Sequence, residues 1–394
     1  GKGSIRSRKL PAEHAVWLVI GLALFRNRPL WQELDLSLDG QPLPAPSASV
    51  QARQRLGEAP LAELSGLLTR AWNRAPRHVH GVPPRVLAVD GVVWPAPDTP
   101  DNREQLGSCS TQHGPLPWPQ LRATCLMDTR SHELLDAKLG GMACGELGLA
   151  AQLQGQDHSL TLFDRAYFSA AFLPDWQAAG EQRHWLMRAK DNLRHEVVEQ
   201  FAPGDALIRM PISPQARKSR PELPSRWQAR LIEVEVGGQT RRFITSMQDH
   251  RAHPARQLAE LYRQRWEIEL GLREIKQSLQ DGEPVLRSKR PELVRQAPWG
   301  LIAHTLLHRW MREMAVELKV EHQRISFHIA SHAIVNPPSI CSLGSAGALP
   351  KQLAALLEQS RRFLLPLRRT GRSFPRAVKN RAHKFPTKKM PVSA

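Results

Sequence analysis

A chain of 394 residues has room for two or three domains and at least one sizeable core, which excludes a small scaffold stapled by disulfides. Its 55 Lys and Arg against 37 Asp and Glu leave a formal charge of +18, so the expected partner is a polyanion, with nucleic acid ahead of a membrane surface. Cys109, Cys125, Cys144 and Cys341 are widely spaced and form no CxxC pair, which speaks against a zinc site or a disulfide framework and suits a reducing cytoplasm.

In chain order, residues 1–80 read as an N-terminal helical region. Lys2, Arg6, Arg8 and Lys9 form a basic arm, and a strongly apolar helical pattern follows from Pro11 to Leu38. Its longest apolar run, Ala15 to Phe25, is about half of what a spanning helix needs, so no membrane partner is expected. The opening lacks the order of a secretory leader, and because the chain starts at Gly1 without Met, part of the N-terminus is expected to precede it. After the Pro-rich QPLPAPS, two short helices are expected, joined at Leu56-Gly57 and capped at Ser47 or Ser49. A helix, tight turn and helix suit recognition of a DNA end, with Arg53 and Arg55 as phosphate contacts, and equally suit ordinary helix packing.

Residues 81–190 change character. The run VLAVDGVVW reads as a buried strand ending in Asp90 with a turn at Gly91, and an acid at such a position is costly unless used or paired. Asp98 and Asp101 compete with it but sit in what reads as a Pro-rich surface loop. QLRATCLMD and HELLDAKLG form an expected hairpin, with Asp128 and Asp136 at its turn and exposed face, followed by a packing helix from Gly145 to Gln154. SLTLFDRAYFS is a second strand ending in an acid, Asp164.

Residues 191–253 alternate short strands with Pro and Gly and read as a β-rich insertion, with a hairpin turn at Gly237-Gly238. Arg217, Lys218, Arg220 and Arg226 make a basic loop there, fit to touch DNA, and Trp227 beside it is a candidate to stack on an unpaired base or simply to pack.

From Pro254 to Gln280 one helix is expected, because Leu261, Ile268, Leu272, Ile275 and Leu279 wind onto one stripe. Beside it, Tyr262, Arg265, Glu269 and Lys276 fall within about 60° of one another at about 100° per residue. That polar face is either a solvated one with an Arg265–Glu269 ion pair, or an acid that holds a cation while its neighbours grip phosphates. Arg273 on the same helix is a further candidate DNA contact. Residues 291–366 read as a C-terminal helical region carrying His304 and His308 one turn apart, a spacing that suits zinc but, with no third ligand evident, reads first as a pair of core or interface histidines. Residues 367–394 form a basic tail expected to be disordered when free.

The spacing Tyr-x2-Arg-x3-Glu-x6-Lys, met by Tyr262, Arg265, Glu269 and Lys276, resembles the signature of the insertion-sequence-four family of bacterial DDE transposases. The segment DGVVWPAPDTPDN resembles that family's stretch around its first catalytic aspartate, and Asp164-Arg165-Ala166 resembles its Asp-Arg-Gly, with Ala in place of Gly. The resemblance implies an α/β, ribonuclease-H-like mixed-sheet core over residues 81–190 and 254–290, interrupted by the β-rich insertion and flanked by the helical regions. It also implies Asp90, Asp164 and Glu269 as catalytic residues and metal ligands. Three carboxylates meeting at one sheet edge repel unless divalent cations neutralise them, and Mg2+, with Mn2+ as a substitute, suits all-oxygen ligands.

By the same resemblance Tyr262, Arg265 and Lys276 hold phosphates, and the partners are double-stranded DNA, both terminal inverted repeats and target, and a second copy in a synaptic dimer. Water opens one strand at the element end, and the freed 3′-hydroxyl attacks the opposite strand to give a hairpin. Rival readings are another ribonuclease-H-like nuclease, a catalytically decayed or truncated DNA-binding descendant, and a basic scaffold without chemistry. The last leaves Asp90 and Asp164 unexplained.

Overall fold

The computed structural model describes residues 10–24, 45–72, 85–111, 114–236, 238–276 and 286–335, with 354, 358, 361 and 364–366. The basic arm, most of the apolar run beyond Leu24, Cys341 and the basic tail lie outside the described residues.

Nine strands make one sheet. They are β1 (Arg85–Pro95), β2 (Gln120–Asp128), β3 (Leu134–Gly141), β4 (Ser159–Phe163), β5 (Arg183–Arg188), β6 (Glu196–Ala202), β7 (Asp205–Pro211), β8 (Arg226–Val236) and β9 (Gln239–Thr245), in the spatial order β3-β2-β1-β4-β5-β9-β8-β7-β6. β2 runs antiparallel to both of its neighbours, β1 and β3, while β4 and β5 run parallel to β1. Three antiparallel strands followed by two parallel ones form the ribonuclease-H-like part of the sheet. The insertion does not stand apart from it. β9 pairs antiparallel with β5, so β9 to β6 extend the same sheet, and Val236 faces Gln239 across a tight turn at Gly238, whose φ is +72°.

Both faces of the central strands are covered, which is why β1 reads as a nearly unbroken apolar run. The period of two sorts its side chains. Val86, Ala88, Val92 and Trp94 join Leu160, Leu162 and Leu186 in one core beneath Leu258, Ile268, Leu272 and Ile275 of the long helical segment. Leu87 and Val89 join Phe163, Trp185 and Met187 on the other face, against Phe172, Leu173 and Trp176 of a short helix. Asp90 and Asp164 therefore share the parity of residues that face the long helical segment.

Several local expectations change. β1 does not end at Asp90 or turn at Gly91. It runs on to Pro95 because β2 keeps pairing with it as far as Gln120, whereas the described pairing with β4 stops at Ala88. Asp101 opens a short helix, Pro100–Leu106, capped by Thr99, rather than lying in a loop. Asp128 is buried, because its carboxylate pairs with Arg85 at 2.5 Å and accepts the Arg130 and Ser131 N–H groups of the hairpin turn. The expected helix from Gly145 to Gln154 is shorter, Glu146–Ala150.

The N-terminal helices are α1 (Ala12–Leu24), α2 (Pro46–Leu56) and α3 (Ala59–Trp72). α2 starts at Pro46 without a side-chain cap, so neither Ser47 nor Ser49 serves as one, and it ends at Gly57 with φ +69°. Arg53 is not a phosphate contact, since its guanidinium bonds Gln296 Oε1 at 3.3 Å and Leu293 O at 3.4 Å. Instead it ties α2 to the C-terminal helices.

Candidate active site at the edge of β1 and β4

The long helical segment comprises Ala255–Tyr262, a single 3₁₀ turn over Arg263–Arg265, and the helix Trp266–Glu274. A 3₁₀ turn advances about 120° per residue instead of about 100°, so the expected single helical face is rephased after Tyr262. Gly271 lets the last helix approach the sheet closely, because a Cβ there would meet Met127 Sδ at 2.6 Å. The approach sets Glu269 and Arg265 over the β1–β4 edge.

The sheet register carries Asp90 and Asp164 to the same level. Ala88 lies opposite Leu162 on parallel strands, and each acid follows two residues later. Gly91 N–H donates to Asp90 Oδ1 at 2.8 Å, and Ala166 N–H donates to Asp164 Oδ1 at 2.7 Å. Ala166 sits in a 3₁₀ turn with negative φ, so Ala serves there without strain. On the helix, Arg265 pairs with Glu269 at 2.5 Å, with 18% and 30% of their side chains exposed.

Burial pushes the Asp90 carboxyl up to about 6, with the Glu146 and Asp164 carboxylates adding to the rise and the Gly91 N–H and Arg265 opposing it. Burial disfavours the charge of Arg265, but Glu269, Tyr262 and Asp90 outweigh that and raise its pKa. Burial lowers Lys276, against the pull of Asp90. These couplings put Asp90, Asp164, Arg265 and Lys276 in one electrostatic neighbourhood, to which Glu269 belongs through Arg265.

A cleft of about 540 Å³ opens beside them, lined by Asp164, Arg165, Arg188, Tyr262, Arg263, Arg265 and Trp266. Arg165 is held by Asp191 through two bonds of 2.9 and 3.1 Å, and Arg263 by Glu260 at 3.1 Å. The expected Tyr262–phosphate bond is replaced. The phenol donates to Phe163 O at 3.1 Å and so fixes the strand end that carries Asp164.

Arg217 and Lys218 are exposed on a short helix, Pro214–Ser219, rather than in a flexible loop, and Arg220 and Arg226 are ion-paired with Asp175 and Glu196. Trp227 offers no face to a base. It is 8% exposed and packs on Trp185 and Phe168. Arg273 is exposed but lines a different cavity, on the far side of the helix end.

Two residues escaped the sequence reading. Arg188 ends β5 with the parity of Leu186, so alternation alone assigns it to the face of the acids. Glu146 carries no such signal. It lies under Gly91, where any Cβ would meet its carboxylate at 2.6 Å, and it accepts the Tyr167 hydroxyl.

A transposase DDE domain model matches residues 81–306, and an insertion element 4 transposase N-terminal model matches residues 1–65. The chain is 39% identical over 395 residues to "Transposase InsG for insertion sequence element IS4" of Escherichia coli (strain K12), covering 98% of this chain and 89% of that protein. It is 34% identical over 210 residues to "Putative transposase InsZ" of the same organism, covering 50% of this chain and 67% of that one.

Proposed function

Because the chain belongs to the insertion element 4 family of DDE transposases and is therefore a DNA transposase, we propose that it moves its element by cut and paste through Asp90, Asp164 and Glu269. The observation that carries the reading is the shared edge. Two aspartates on adjacent parallel strands face a helix whose glutamate is held by an arginine, beside a cleft with four arginine side chains.

DDE transposases use divalent metal ions, and the donor set here fits one. Asp90 is a carboxyl whose ionisation is opposed by burial and by two neighbouring carboxylates, and a cation relieves both penalties. Asp90, Asp164 and Glu269 would hold Mg2+ or Mn2+, which when bound supplies Lewis-acid stabilisation of the attacked phosphate. Arg265 orients Glu269, while Tyr262 pins the end of β4. Arg188, Arg263 and Arg165 offer cationic donors to the flanking phosphates, a role of positioning. Lys276, coupled to Asp90, stands ready for the same strand.

In the proposed sequence water attacks phosphorus at the element end, and the bond to the 3′-oxygen breaks to leave a 3′-hydroxyl. That hydroxyl attacks the opposite strand, closing a hairpin and releasing the flank; reopening and transfer to target DNA repeat the displacement. Two copies, one per end, would form the synaptic complex.

The test is Mg2+-dependent nicking of a duplex carrying the terminal inverted repeats, wild type beside Glu269→Ala. Nicking by wild type alone, followed by a hairpin, is the expected result. Cleavage at the wild-type rate by Glu269→Ala would overturn the site assignment, and binding without nicking by either protein would favour a decayed transposase.

A further inference from the structure

Just beyond the acid cleft, Glu274 at the end of the same helix meets histidines from two other parts of the chain. Its Oε2 lies 3.4 Å from His132 Nδ1, 3.2 Å from His304 Nε2 and 2.9 Å from His308 Nε2, and the two Nε2 atoms of His304 and His308 are 3.0 Å apart. His132 belongs to the turn between β2 and β3, while His304 and His308 are one turn apart on the helix Leu301–Leu318. All three rings are buried, at 5%, 0% and 1% exposure.

The outer bonds of two rings determine what their inner nitrogens can be. His132 Nε2 lies 3.0 Å from the Glu267 carboxylate, an acceptor, so that nitrogen carries a proton; the second proton, on Nδ1 beside Glu274, is the one a metal ion would displace, turning the Nδ1 lone pair inward. His308 Nδ1 lies 3.0 Å from His322 Nε2. When it donates there, the Nε2 lone pair of His308 also points inward. Two lone pairs and a carboxylate oxygen then face one another, and a positive charge among them, a proton on His132 Nδ1 or a metal ion in its place, is what holds them together. A carboxylate on the far nitrogen of an inward-facing histidine is the outer arrangement that metal-ligating imidazoles adopt.

The spacing suits such an ion. The ligand atoms of His132, Glu274 and His308 all lie within 4.8 Å of one another. Bonds of about 2.0–2.1 Å arranged tetrahedrally separate neighbouring ligand atoms by about 3.3 Å, close to the 3.4 and 2.9 Å that separate Glu274 Oε2 from His132 Nδ1 and His308 Nε2. A cavity of about 260 Å³, lined by His132, Glu274, His308 and His322 among others, reaches the cluster and gives an ion a way in.

We propose that His132, Glu274 and His308 form a structural site for a zinc-class transition metal, with His304 Nε2 beside it, 3.0 Å from His308 Nε2. Two imidazole nitrogens with one carboxylate select such an ion over magnesium. The site would clamp the end of the catalytic helix to the β2–β3 turn and to the C-terminal helices, five residues beyond Glu269. It is independent of the assignment of the three acids.

The test is metal content and spectroscopy on the untagged full-length protein, stripped with chelator and reloaded with Zn2+ or Co2+. The expected result is about one zinc per chain through gel filtration in wild type and in Asp90→Asn, none in His308→Gln, and affinity about 10- to 100-fold weaker in Glu267→Gln. The cobalt form should show the intense visible bands of four-coordinate nitrogen ligation. Overturning results are a wild type that retains no zinc, zinc lost in Asp90→Asn but kept in His308→Gln, or a pale six-coordinate cobalt spectrum. Should His308→Gln fail to fold by circular dichroism, Glu267→Gln and the cobalt spectrum decide.

Discussion

Glu269 and Glu274 sit five residues apart on one helix and live in opposite surroundings. Glu269 keeps 30% of its side chain exposed and has Arg265 as its ion-pair partner, whereas Glu274, at 21%, is met by His132, His304 and His308. An acid with one partner and open space still has lone pairs to offer a ligand, and its removal leaves Arg265 with Tyr262 and Asp90 still beside it. An enclosed acid is committed to the fold, since its loss strands three buried imidazoles. On the proposed assignment, chemistry and architecture are thus divided between two turns of one helix.

The largest effects should separate the two. Glu269→Gln is expected to lower strand cleavage at least about a hundred-fold, the range for losing a group aimed at the reacting phosphate, while stability moves by less than about 0.5 kcal/mol. Glu274→Ala should instead cost about 3–5 kcal/mol in urea unfolding, as breaking buried charged pairs does. Equal losses of stability in both variants would erase the distinction.

A smaller effect sharpens it with pH. Asp128, at the hairpin turn that presents His132, is a second enclosed acid. Burial opposes its charge, but Arg85 and the Arg130 and Ser131 N–H groups win and hold its carboxyl below the usual range. A depressed folded pKa means that its stabilisation is fully present above the unfolded value of about 3.9 and is lost as pH falls through the folded value. Asp128→Asn should therefore destabilise by about 2 kcal/mol at pH 7, with the gap to wild type closing below about pH 4. A gap that stays constant from pH 7 to pH 3 would mean that the effect is packing rather than charge.

The legible parts of this molecule are those set by short-range rules. Two apolar runs ending near an acid, and a helix with Arg265 and Glu269 one turn apart, pointed to elements that the sheet register then brings together. What could not be read depends on partners distant in sequence. Asp90 lies mid-strand because β2 extends the pairing, Tyr262 is engaged by Phe163 O across 99 positions, and Trp227 is covered by Trp185 and Phe168. The His304–His308 pair was visible, but its companions Glu274 and His132 come from other elements and no spacing announces them.

The smallest effect lies far from both glutamates. Arg217 and Lys218 are exposed on the helix Pro214–Ser219, between β7 and β8, and neither belongs to the cleft or the histidine cluster. If the extension touches DNA, their cations contribute by releasing counterions, a term that is additive and blind to sequence. The double variant Arg217→Ala/Lys218→Ala should then flatten the dependence of log affinity on log salt by up to about two, with stability within about 0.5 kcal/mol of wild type and cleavage of saturating substrate unchanged. An unchanged salt slope would remove this face from the DNA path. A loss of cleavage at saturating DNA would instead tie the extension to the acid site, which the ion-paired Arg220 and Arg226 beside it give no means of doing.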